Sequence, residues 1–98
     1  MSFNVIISET ARNALNELSK DIQEKIEKGL EVLKENPWRR RPNADIKRLK
    51  NTSKYWRIRL GNYRAVYTID NGAKEVRVQK ITHSNRKEKM YRQVGQMK

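Results

Sequence analysis

The sequence contains no cysteine, one histidine, two prolines and four glycines in 98 residues. Without cysteine there is no disulfide framework, no thiolate nucleophile and no cysteine zinc site, and a lone histidine cannot complete a ligand set. A reducing, cytoplasmic setting is expected. The opening MSFNVIISETAR has no basic segment followed by a long apolar run, and nowhere do about 18 apolar residues follow one another, so neither a signal peptide nor a membrane span is expected. Beyond residue 36 the acids are Asp45, Asp70, Glu75 and Glu88, too scattered for the clustered carboxylates of metal-dependent phosphodiester cleavage. There is no P-loop or dinucleotide-binding glycine pattern, no internal repeat and no low-complexity linker. No metal and no cofactor are expected.

What is abundant is positive charge. The formal net charge is +12, from 23 Lys and Arg against 11 Asp and Glu. It is unevenly placed: residues 1–36 carry a net −2, residues 37–70 a net +8 and residues 71–98 a net +6. A surface charged only for solubility would be more even, and a phosphate polymer is the commonest partner of such a field. The length suits one domain over residues 1–98 with a thin core.

The patterning predicts an α+β fold: an N-terminal strand, a two-helix hairpin, then a three-stranded antiparallel meander completing one small sheet of four strands. Phe3 to Ile7 alternates as a strand. From about Glu9 the period becomes helical, with Ala11, Ala14, Leu15 and Leu18 on one face. Ser19 can cap a second helix, with Asp21 at its N-terminal dipole. Its apolar stripe is Ile22, Ile26, Leu30 and Leu33, and Asn36-Pro37 ends it. Residues 38–54 read as a very basic loop with a short extended piece around Ile46 and Leu49. Tyr55 to Leu60 is a strand with Trp56, Ile58 and Leu60 on one face and Tyr55, Arg57 and Arg59 on the other. After a turn at Gly61-Asn62, Tyr63 to Asp70 pairs back with Tyr63, Ala65, Tyr67 and Ile69 inward and Arg64, Val66 and Thr68 outward. Asp70-Asn71-Gly72 turns into a last strand over residues 75–82, whose end, Lys80 to His83, loses the alternation. Residues 84–98 read as a short helix or a mobile tail. If the helices cover the inner face, Arg57, Arg59 and Arg64 are presented together on the outer one.

Cations, phenols and one imidazole suit RNA more than DNA. RNA carries its own nucleophile, the 2′-hydroxyl, so a protein without metal can cleave it by aligning that hydroxyl, stabilising the developing charge and moving protons. Arginine forks fit the crowded phosphorane-like transition state. A helix-turn-helix over residues 9–35 is conceivable, but that stretch is net negative and would be repelled by a phosphate backbone.

The run Asp45-Ile46-Lys47-Arg48-Leu49-Lys50, followed by Tyr55-Trp56-Arg57-Ile58-Arg59-Leu60-Gly61-Asn62-Tyr63-Arg64-Ala65-Val66-Tyr67, resembles the RelE family of toxins from bacterial and archaeal toxin–antitoxin pairs. The resemblance extends over nearly the whole chain, and the Gly-x-Tyr-Arg-x-x-Tyr spacing is moderately specific for the RelE/ParE superfamily. It implies a ribosome-dependent endoribonuclease that cuts mRNA in the decoding site, leaves a cyclic phosphate and is neutralised by a cognate antitoxin. By the same resemblance, Arg64 contacts the scissile phosphate, and Arg57 and Arg59 stand where the best-known member has lysines facing the RNA. Arginine does not give up its proton, so a base role of such a lysine is not carried over. Tyr91 matches a C-terminal tyrosine that stacks on or helps activate the nucleotide, and Arg86 or Lys87 a further phosphate-binding arginine. The local text His83-Ser84-Asn85-Arg86 departs from the commoner His-Arg adjacency. His83 is the candidate general acid or base.

Each assignment has a plainer counterpart. Arg57 and Arg59 can serve RNA backbone binding alone, His83 can be a surface histidine, and Tyr91 can be C-terminal packing. Lys47, Lys50 and Lys54, with Arg39 to Arg41, read as docking surface. Trp56, Tyr63 and Tyr67 read as core, and Trp38 as a lid on the helix end. Two other functions stay open at this stage: a ParE-like inhibitor of DNA gyrase without nuclease chemistry, and a non-catalytic RNA- or ribosome-binding module.

Overall fold

Two serines start the two helices. The Ser8 hydroxyl accepts the Ala11 N–H at 3.1 Å and donates to the Gln79 carbonyl at 3.2 Å, so it caps α1 (Glu9–Asn16) and ties it to the sheet. Ser19 accepts the Ile22 N–H at 3.4 Å and caps α2 (Lys20–Leu30), as its spacing predicts. A 3₁₀ turn, Glu31–Lys34, follows, and Asn36 takes a left-handed backbone (φ 52°) just before Pro37. The chain, seen here in a computed structural model, is described over residues 2–42, 44–49 and 54–83.

The sheet has five strands: β1 (Asn4–Ile7), β2 (Asp45–Arg48), β3 (Tyr55–Leu60), β4 (Tyr63–Asp70) and β5 (Glu75–His83), in the order β1-β5-β4-β3-β2. β1 runs parallel to β5, with the helical hairpin as part of the crossover, and all other neighbours are antiparallel. The α+β class and the meander are as expected. The four-strand count is corrected to five: the extended piece around Ile46 is a true edge strand, with Ile46 opposite Ile58. Only one of its four residues is buried, so period-2 patterning is barely visible. Lys50 and residues 84–98, including Arg86, Lys87 and Tyr91, lie outside the described residues.

The lost alternation in β5 has a physical cause. The register slips between Val66 and Tyr67, which face Lys80 and Val78, so Gln79 has no opposite number. This bulge leaves two residues, not one, between the buried Val78 and Ile81.

The helices cover one sheet face. Ala11 and Leu15 from α1, Ile26 and Leu30 from α2, and Leu33 pack with Phe3, Ile46, Ile58, Ala65, Tyr67, Val76, Val78 and Ile81. Gly29 allows the close approach: a β-carbon there would run into the Leu60 side chain. Tyr67 is fully buried and donates its hydroxyl to the Pro37 carbonyl at 2.6 Å, joining the sheet to the end of the helical segment. Burial pushes its pKa up, against a smaller opposite pull from the Arg41 and Arg57 cations. Among the described residues no helix is long and apolar enough to cross a membrane.

Candidate nucleic-acid interface

Strand pairing assembles the outer face. Across β2, β3 and β4, Lys47 stands opposite Arg57 and Arg57 opposite Val66, while Asp45 stands opposite Arg59 and Arg59 opposite Arg64. Directly opposed residues lie about 4.5–5.5 Å apart at Cα, so Arg59 and Arg64 are immediate neighbours although five positions apart in sequence. Thr82 of β5 continues the row beside Arg64. Arg59 is exposed, whereas Arg64 is half-buried, with its Nε and Nη1 atoms out of contact with solvent.

One carboxylate organises the cations. Asp45 Oδ1 lies 3.4 Å from Arg57 Nη1 and 4.0 Å from Arg40 Nε, and its Oδ2 lies 4.0 Å from Arg59 Nη1. The Arg57 guanidinium also donates to the Asp45 carbonyl at 3.1 Å. The sequence reading presents Arg57 to RNA, and this is corrected: Arg57 is only 8% exposed. A charge so placed is tolerated because the neighbouring carboxylate and carbonyl replace its hydration. In the sequence Asp45 reads only as one of the scattered acids. The available signal was its isolation, a single carboxylate between Arg39–Arg41 and Lys47–Lys50.

Not every predicted residue joins this face. Lys47, Arg57, Arg59 and Arg64 share it. His83 pairs with Tyr63 and so belongs to the helix-covered face, where its ring packs edge-on against Tyr63 with centroids 5.0 Å apart. The bulge at Gln79 decides this, because it reverses which residues at the end of β5 point outward. Lys54 lies just ahead of β3, exposed, beside Trp56 and away from Arg64. Arg41 is not docking surface either. Its Nη2 donates to the Glu35 carbonyl at 2.7 Å and the Asn36 carbonyl at 3.0 Å, closing the end of the helical segment. Among the described residues, no three histidine, aspartate or glutamate side chains gather as a metal site.

Comparison with known proteins gives a family to this five-stranded sheet with its two-helix crossover. The family model for the ParE toxin of type II toxin–antitoxin systems matches residues 5–88. RelE1 of Methanocaldococcus jannaschii, a protein assigned as a toxin, is 35% identical over 69 residues, which make up 70% of this chain and 76% of that protein. The chain therefore belongs to the ParE toxin family of type II toxin–antitoxin systems, within the RelE/ParE superfamily. Among solved structures, the archaeal RelE–RelB complex from Pyrococcus horikoshii is similar at a TM-score of 0.73 and 26% identity, covering 88% of this chain and 99% of that one. A variant of Escherichia coli RelE in the free state shares the fold, at a TM-score of 0.72 and 21% identity, with 90% of each chain covered.

Proposed function

We propose that this toxin is a metal-independent endoribonuclease that cuts mRNA on the ribosome and so stops translation. The observation that carries the reading is the cross-strand pair Arg59–Arg64 on the open face of the sheet, two arginines that strand pairing brings side by side. Arg64, held rigid by partial burial, would stabilise the charge that develops as the 2′-hydroxyl attacks the phosphorus, and Arg59 would bind a non-bridging oxygen or the adjacent phosphate. Arg57, sealed behind them by Asp45, supplies a fixed positive field instead of a contact. Tyr91 and either Arg86 or Lys87 enter the proposal through the resemblance to RelE toxins, as a stacking residue and a further phosphate ligand. Lys47 extends the track for the RNA backbone.

The similarity to a RelE bound to RelB supports a cognate antitoxin as partner. A protein with net charge +12 would be met most readily by an acidic one that covers or disrupts the same cationic face.

Adding the purified chain to a translating extract and mapping mRNA 5′ ends tests the reading. New ends are expected with the wild type, and about 100-fold or more slower cleavage with Arg64→Ala, the usual cost of losing one preorganised donor to a developing oxyanion. Intact mRNA together with gyrase poisoning would overturn the nuclease reading in favour of the ParE-like one. Undiminished cleavage by the variant would overturn the role of Arg64.

A further inference from the structure

The described residues hold a second cationic site, on the other side of the sheet from Arg64. Trp38, Arg48, Lys54, Trp56, Ile69 and Asn71 line an open pocket of about 520 Å³. Trp38, expected as a lid on the helix end, is 44% exposed and meets the Phe3 ring edge-on, with centroids 5.6 Å apart. Trp56, expected wholly in the core, is half-buried, with the Arg48 guanidinium 5.4 Å from its ring centroid. The lining has two indoles, two cations and an amide, and no carboxylate.

We infer that this pocket is a stacking subsite for a nucleotide of single-stranded RNA distinct from the one at Arg64. A nucleotide offers in one unit what the lining asks for: a flat π-face for the indole of Trp38, a base edge for the Asn71 amide, and a phosphate for Arg48 and Lys54. The volume lies within the range of small-ligand pockets, roughly 300–1,000 Å³. An acidic peptide would satisfy the cations but leave the indoles and amide to whatever side chains it carried, so the nucleotide fits the observations better. Trp56 lies three residues before Arg59 on β3, about 10 Å along the strand, and alternation turns it to the opposite face. One nucleotide therefore cannot reach both sites. The edge strand β2 joins them: Lys47 is exposed on the outer face, and its neighbour Arg48 is exposed on the inner. A strand of RNA passing over this edge would meet cations on both sides of it.

The inference rests on RNA being the polymer engaged, but not on its cleavage, and the test separates the two. The full chain is titrated with a 2′-O-methyl hexaribonucleotide, which cannot be cleaved by 2′-hydroxyl attack, while tryptophan fluorescence is followed. The expected result is saturable quenching, weakened about tenfold in Trp38→Ala and in Arg48→Gln, and retained in Arg64→Ala. Because Trp38→Ala removes packing on Phe3, Arg48→Gln on the exposed edge is the second variant, which removes a pocket cation and no buried side chain. Unquenched fluorescence, or quenching that survives both pocket substitutions, would overturn the subsite. So would quenching lost with Arg64→Ala, or produced by an acidic peptide and not by RNA. Quenching that depends on Trp38 and Arg48 in a protein that leaves mRNA intact would uphold the subsite and overturn only the nuclease reading.

Discussion

Asp45 Oδ1 sits 3.4 Å from Arg57 Nη1, and the same aspartate's carbonyl accepts a hydrogen bond from that guanidinium at 3.1 Å. The arginine is buried and its partner is about two-fifths exposed, so the carboxylate serves the arginine more than the reverse. Asp45→Asn would keep the shape but leave the Arg57 charge with weaker compensation. A loss of about 1–3 kcal/mol in unfolding free energy is expected by urea denaturation. Arg57→Met, which removes the buried charge outright, should cost less than Asp45→Asn. If Arg57→Met proves the more damaging, the arginine is held for more than its pairing with Asp45.

Arg41 belongs to the basic run 39–41, yet its guanidinium closes the carbonyls at the end of the helical segment. Arg41→Gln is expected to lower stability by about 1 kcal/mol, a shift of some 4–8 °C in Tm for a domain this size. RNA cleavage measured well below Tm should stay near wild type. A variant of unchanged Tm with weakened cleavage would return Arg41 to the docking surface.

His83 and Arg64 lie on opposite faces of the sheet. General acid or base catalysis is typically worth about 10²–10⁴-fold. On the geometry, His83→Ala should slow mRNA cleavage less than tenfold, against about 100-fold or more for Arg64→Ala. A His83→Ala loss of 100-fold would mean that the histidine reaches the reacting atoms after all.

Tyr67 gives the fold an alkaline limit. Its hydroxyl is buried and bonded to the Pro37 carbonyl at 2.6 Å, and burial raises its pKa above the ordinary value. The unfolded chain therefore loses this proton first, near pH 10, while the folded chain holds it. The contribution is complete below that pH and declines as pH rises beyond it. Tyr67→Phe should be less stable by about 1–2 kcal/mol at pH 8, and the gap should narrow in denaturation curves above pH 10. A gap that widens with pH would show that the folded state ionises first.

Electrostatic docking predicts one thing more. Cleavage of mRNA in the extract should fall steeply with added salt, because each phosphate contact releases counterions. A flat response between low and moderate salt would count against the basic face as the docking surface.

Several features were legible in the residues alone. Ser19 and the Ile22–Ile26–Leu30 stripe announced α2, and alternation in Tyr55–Leu60 and Tyr63–Asp70 announced a hairpin that aligns Arg59 with Arg64. These are local signals, carried by neighbours in the chain, and a sequence records them directly. The charge division, net −2 before residue 37 and positive after it, is likewise written in the residues alone.

The rest depended on contacts between distant residues. The β2 strand exists because Ile46 meets Ile58 across twelve positions, which its four mostly exposed residues could not reveal. The single slip at Gln79 moved His83 to the wrong face for the chemistry assigned to it, since one extra residue in a period of two exchanges inside for outside. Burial sorted cations that look alike in the sequence: Arg57 is sealed by Asp45, Arg41 closes a helix end, and Arg59 and Arg64 face the open side. The basic composition set the kind of partner proposed for this protein, a phosphate polymer. Only the tertiary structure decided which of its arginines are placed to meet it, because exposure is a property of the packed chain and not of the residue.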